Sequence, residues 1–143
     1  MATVYKIIDN DPNRCIEYLI KSGLHAKNMD VFIGLEKDGY MIACSAFDSY
    51  NGASIFHHIC ISKGFYIPRK FWLFMSYYCF IQLGVECMIG ITPSTNKDAI
   101  KLSKHYGYIE QYRLKNACIG GDLVIQTIKK DECKWLKIKV QNL

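Results

Sequence analysis

The sequence predicts an α+β domain: a mixed, mostly antiparallel sheet with helices on both faces, in the order β-α-βββ-α-β-α-ββ. Three observations carry this. Residues 31–61 hold three apolar, strand-like runs separated by Asp38-Gly39 and Asn51-Gly52, dipeptides suited to tight turns, so they form an antiparallel meander. Residues 54–92 read strand, long apolar helix, strand, and such a crossover makes its two strands parallel. Each helical stretch stops at a glycine, Gly23, Gly84 or Gly107.

The elements follow in order. Thr3 to Ile8 alternates as a strand. Asp11-Pro12 reads as a cap followed by proline in the first turn, and Cys15, Ile16, Leu19 and Ile20 form the apolar stripe of a helix. Val31–Leu35, Tyr40–Tyr50 and Ser54–Ile61 are the meander strands, with both turns expected to be type I′. Lys63–Pro68 is a loop and Arg69–Leu83 a long apolar helix. Cys87–Thr92 is nearly all apolar, as in a strand buried on both faces. Thr95 or Asn96 caps a helix that runs to Tyr106. Ile109–Leu114 and Leu123–Ile128 are the last strands, around Gly120-Gly121-Asp122.

The chain has 143 residues, with no linker and no internal repeat, so a single domain spanning 1–143 is expected. Hydrophobic residues at 50% and charged residues at 22% exclude disorder. A net charge of +5 favours a small polyanion without demanding nucleic acid. The basic stretch KKDECKWLKIKV is the only argument for a nucleic-acid partner, and a terminal strand or helix with a solvated basic face explains it better. Seven cysteines, an odd number with no C-x-x-C, read as free thiols in a reducing compartment. No metal site follows from their spacing. The most apolar run, Phe71 to Leu83, is shorter than the roughly 20 residues of a membrane span, so a cytoplasmic protein is expected.

The stretch ITPSTNKDAIKLSKHYGYIEQYRL, with Asn96, Ala99, Leu102 and Gly107-Tyr108 at matching places, resembles the GCN5-related N-acetyltransferase (GNAT) superfamily. Upstream, SIFHHICIS, a loop and a helix ending in Leu-Gly resemble that family's central strand, phosphate loop and following helix. The resemblance covers roughly residues 30–130 and is closest in flavour to small phage-encoded members. It implies a sheet splayed between Ser54–Ile61 and Cys87–Thr92, with acetyl-CoA in the split and an amine as acceptor. The backbone of Ile59, Cys60 and Ile61 would pair with the pantetheine amides, as an added strand does.

Other roles follow from the same resemblance. Loop amides at a helix start suit a pyrophosphate. The family's glycine-rich pattern falls on Gly64-Phe65-Tyr66-Ile67-Pro68-Arg69, where Ile67 and Arg69 replace small residues, leaving Lys63, Arg69 and Lys70 to supply charge. Asn96 would contact the cofactor arm, or serve only as a cap. The family's thiolate-protonating tyrosine falls on Ser103, and Tyr106 lies near the same helical face as a substitute or as core.

The residues themselves suggest a base. Histidine suits proton removal from an amine near neutral pH. His57 and His58 are adjacent on a strand and so point to opposite faces; either could be the base or a structural imidazole. Asp48 and Tyr50 could line an acceptor pocket, whereas His25 and His105 read as surface residues.

The expected function is transfer of acetyl from acetyl-CoA to an amine of a small molecule or protein. The alternative is an inactive protein on the same fold, a phage structural or host-protein interaction module, located in the host cytoplasm or the virion. Its contacts would include exposed aromatics such as Phe65, Tyr66 and Trp135.

Overall fold

The structure, a computed structural model, describes residues 2–26 and 28–138. Its elements are β1 (Tyr5–Ile8), α1 (Pro12–Lys21), β2 (Val31–Lys37), β3 (Tyr40–Asp48), β4 (Ser54–Ile61), α2 (Arg69–Ser76), β5 (Cys87–Pro93), α3 (Lys97–Tyr106), β6 (Ile109–Cys118) and β7 (Gly121–Lys129). This is the expected order. All seven strands form one sheet, β1-β2-β3-β4-β5-β7-β6, in which the β4–β5 neighbours alone run parallel.

Local chemistry sets the helix ends. Asp11 accepts from the Arg14 N–H at 3.2 Å to open α1, and Asn96 accepts from the Ala99 N–H at 3.1 Å to open α3. Alternation along the strands then divides the core. Cys44 and Ala46 face α1, packing with Cys15 and Leu19. Phe47 and Ile55 face the other way, into a larger cluster with Phe71, Met75, Phe80 and Tyr106 from α2 and α3. Helices therefore lie on both faces.

Four expectations need correction. The Asp38-Gly39 turn has both residues at positive φ, 48° and 91°, as type I′ requires, but the second turn does not. There the left-handed residues are Ser49 and Gly52, and the Asn51 carboxamide accepts from the Ala53 and Ser54 N–H groups, at 2.9 and 2.8 Å. Asn51 thus builds the turn with its side chain instead of its φ. The long helix also changes pitch: α2 gives way to a π-helical segment, Tyr77–Gln82. The switch follows Ser76, whose hydroxyl donates to the Trp72 carbonyl at 2.8 Å and loosens the regular ladder. Among the described residues, the C-terminal stretch forms two 3-10 turns, Lys130–Glu132 and Lys134–Lys137, instead of a strand or amphipathic helix; residues 139–140 of it lie outside the described residues. Trp135 is not an exposed aromatic: its indole donates to the Tyr106 carbonyl at 2.6 Å, and the ring packs against Trp72.

On one side, the far half of the sheet stays uncovered among the described residues. Residues paired across strands point to the same face. The register therefore places Phe56, Ile89, Thr127 and Ile109 in one row, Ile91, Ile125 and Tyr112 in the next, and Pro93, Leu123 and Leu114 in a third. Ile91 is 43% exposed and Tyr112 61%.

His57 is buried inside the larger cluster. Its ring stacks on Phe47 at 4.8 Å, Nε2 lies 2.8 Å from Ser45 Oγ, and Nδ1 lies 2.9 Å from the Tyr108 hydroxyl. Burial, followed by the neighbouring His58, lowers its pKa to about 3, so it is neutral at pH 7. The unfolded chain takes up a proton near pH 6.5 and the folded chain does not. The stability His57 confers is therefore complete above pH 6.5 and is lost as pH falls toward 3, by up to about 1.4 kcal/mol per pH unit. Urea denaturation between pH 7 and 4 should show this loss, and His57→Gln should flatten it.

Candidate active site

The site begins where two strands part. β4 and β5 pair only at Ser54–Cys87, Ile55–Met88 and Phe56–Ile89. From His57 and Gly90 onward they separate. β4 stays with β3 as far as Ile61, and β5 stays with β7 as far as Pro93. A wedge opens between them.

Backbone phase decides what the wedge offers. The Ser62 N–H bonds the Ile42 carbonyl at 2.8 Å, so Ser62 directs its groups toward β3. In an antiparallel pair that direction alternates residue by residue. Cys60, opposite Cys44, therefore also directs its amide and carbonyl to β3, whereas Ile59 and Ile61 turn theirs into the wedge. Of the three residues expected to pair with a pantetheine arm, two present free backbone groups and Cys60 does not.

Two adjoining cavities form one groove. The wedge cavity, about 330 Å³, is lined by His57, His58, Gly90, Thr92, Ser103 and Tyr108. The second, about 360 Å³, runs past Ile61, Lys63 and Gly64 along Asn96, Asp98 and Leu102 of α3. They share Ser22, Ile59, Cys60, Asn96 and Ala99. Strand alternation gives the wedge two different sides. His58 faces the α1 side, where Nε2 lies 3.3 Å from the Asp48 carboxylate. His57, Ser103 and Tyr108 lie toward α2 and α3.

The remaining expected residues divide. Asn96 lines the groove, with its carbonyl oxygen capping α3 and its amide NH2 left over for a ligand. Lys63 and Gly64 line the groove, with Gly64 at φ +86°. Lys70 does not: its ammonium donates to the Tyr5 carbonyl, tying α2 to β1. Arg69 faces a separate hollow with Trp72, His105 and Trp135. Tyr106 is likewise away from the groove, its hydroxyl 2.8 Å from Ser76 Oγ inside the core. Tyr50 is spent on the Leu83 carbonyl at 3.0 Å.

Sequence reasoning missed Tyr108 as a polar group. Its ring lies against Gly90, where a Cβ would stand 3.4 Å away, and its hydroxyl reaches His57 at the mouth of the split. The readable signal was the hydroxyl itself, since packing alone would be served by phenylalanine. Ser45, the second partner of His57, left no signal.

No family model and no curated protein matches this sequence. Solved structures do. yncA from Salmonella typhimurium, solved with its cofactor acetyl-CoA, superposes with a TM-score of 0.70 at 15% identity, over 90% of this chain and 95% of that one. Spermidine/spermine N-acetyltransferase SpeG from Vibrio cholerae gives 0.68 at 17% identity, over 94% and 95%. The ribosomal-protein-S5-alanine acetyltransferase from Vibrio fischeri gives 0.67 at 9% identity, over 94% and 100%. Agreement of this extent at such low identity is agreement of architecture, and the chain has the GCN5-related N-acetyltransferase fold.

Proposed function

We propose that this chain transfers acetyl from acetyl-CoA to an amine in the wedge between β4 and β5. The observation that carries the reading is the three-residue parallel seam, beyond which Ile59 and Ile61 hold unpaired backbone groups toward a groove. A pantetheine arm has amides of the right kind and spacing to pair with them. Its pyrophosphate end would lie by Lys63 and Gly64, with the Asn96 amide beside the arm. Lys63 supplies charge where the loop lacks the small residues of a tight amide cradle.

Catalysis here is largely positional. Holding thioester and amine together supplies about 7–11 kcal/mol of a barrier. The amine arrives from the α1 side, past His58, which takes its proton; Asp48 orients that imidazole and stabilises the cation it becomes. The uncovered apolar rows adjoin this side and suit an acceptor with an apolar body, whether small molecule or protein.

A second reading rests on the same rows and on Ile67 and Arg69 at the small-residue positions. The chain would then be an inactive interaction module, of phage or host-directed kind, with that face as its contact.

Isothermal calorimetry with acetyl-CoA separates the two. The transferase reading expects a dissociation constant on the order of micromolar. Absence of heat at millimolar cofactor would sink it and leave the interaction module. With a panel of spermidine, a lysine-containing peptide and simple alkyl amines, His58→Ala should lower kcat by about 10²-fold. Asp48→Asn should lower it less. Unchanged kcat in both would remove His58 from the mechanism.

A further inference from the structure

We propose that the hollow between the first turn of α2, the last turn of α3 and the C-terminal 3-10 turn binds a small oxyanion, a phosphate or carboxylate carried on a flat apolar body. The hollow shares no lining residue with the groove, so the inference stands apart from the acetyl-transfer reading.

Charge is the first argument. The hollow, about 340 Å³, is lined by Arg69, His105 and Lys134, with no Asp or Glu among its lining residues. Neither Arg69 nor Lys134 has an ion pair among the described residues. Basic groups gathered around one hollow repel each other, and Arg69 at the start of α2 also opposes the helix dipole. An anion between them relieves both costs. The Arg69 guanidinium offers a planar fork of donors that suits carboxylate and phosphate alike.

Preorganisation is the second. Lys134 Nζ donates to the His105 carbonyl at 2.8 Å and stands 4.9 Å from the centre of the Trp135 ring. The ammonium is thus held in place with two N–H groups to spare. The His105 ring makes edge contacts with both indoles, 5.8 Å from Trp72 and 6.3 Å from Trp135. These contacts fix its orientation before any ligand arrives.

The third argument is the floor. Trp72 and Trp135 are 2% and 7% exposed, and Ile67 and Ile138 stand beside them. An apolar body covers such a floor, whereas a hydrated inorganic ion leaves it bare. One polar group interrupts it. The Trp135 N–H is spent on the Tyr106 carbonyl, but the Trp72 N–H meets no acceptor among the described residues. Fully buried side-chain nitrogens in this region of the chain all have partners, so the Trp72 N–H keeps contact with solvent in the hollow and is a further donor for the anion.

Trp72 and Trp135 are the chain's two tryptophans, so its intrinsic emission reports on this hollow. Phenyl phosphate and benzoate are the probes, and the tighter of the two names the anion. At least one should shift the emission saturably, with a dissociation constant of about 0.1–1 mM, as suits a ligand of about ten heavy atoms. Benzyl alcohol, which lacks the charge, and inorganic phosphate, which lacks the ring, should each bind at least about tenfold more weakly. Arg69→Ala and Lys134→Met should each weaken the better probe about tenfold; the second keeps an apolar stem over Trp135. Lys21→Met removes the same charge from α1 and should change binding by less than about twofold. Saturating acetyl-CoA should leave the probe bound. No saturable shift with either probe at 10 mM, roughly tenfold above the weakest expected constant, overturns the inference. So does wild-type affinity in both Arg69→Ala and Lys134→Met, equal binding of benzyl alcohol or of inorganic phosphate, or displacement by acetyl-CoA, which would make the hollow part of the cofactor site. Should one variant fail to fold, the other decides.

Discussion

Buried backbone amides need partners, and β4 and β5 stop supplying each other's after Phe56 and Ile89. Each strand stays tied on its outer side, β4 to β3 and β5 to β7, so neither can close the gap without breaking an established ladder. The open groups of Ile59 and Ile61 are therefore a fixed property of the sheet. The packing around them follows: α3 borders the groove with Asn96, Ala99 and Ser103, the Ser22–Leu24 turn closes its far end, and Tyr108 crosses Gly90 to meet His57.

The two adjacent histidines show how one strand serves two environments. A single step along β4 turns the side chain to the other face. His57 lies among Phe47, Tyr106 and Tyr108, where burial disfavours its cation. His58 keeps partial exposure and a carboxylate neighbour in Asp48. One imidazole is thus held neutral in the core, while the other lies at the groove with a carboxylate beside it.

Much of this was legible where the signal is local. The Asp38-Gly39 turn, the Asn96 cap, the glycine stops and the strand–helix–strand crossover each depend on residues close in sequence, and together they gave the full element order and the parallel pair. What was not legible depends on long reach. His57 meets Tyr108 across 51 positions, and Lys70 meets Tyr5 across 65, so no window of sequence holds both partners. Lys70 read as a phosphate ligand because its place at a helix start is visible and its partner in β1 is not. Trp135 read as exposed because the run of lysines around it hides the buried indole. Asn51 misled for a subtler reason: Asn-Gly fits a type I′ turn, yet an asparagine side chain can also hold a turn by accepting from the backbone.

Among the described residues, β6 leaves one ladder of amides and carbonyls without a strand beside it, and it borders rows of exposed aliphatic side chains ending near the fully exposed Ile119. Such a border invites ribbon growth between molecules. Charged groups stand guard along it: Arg113 bridges to Glu110 at 3.0 Å, and Lys115 lies 3.6 Å from Asp122. Stacking another molecule's strand there would crowd or desolvate these ions. The molecule thereby keeps a greasy, accessible surface beside its groove while resisting the aggregation that such a surface would otherwise encourage in a crowded cell.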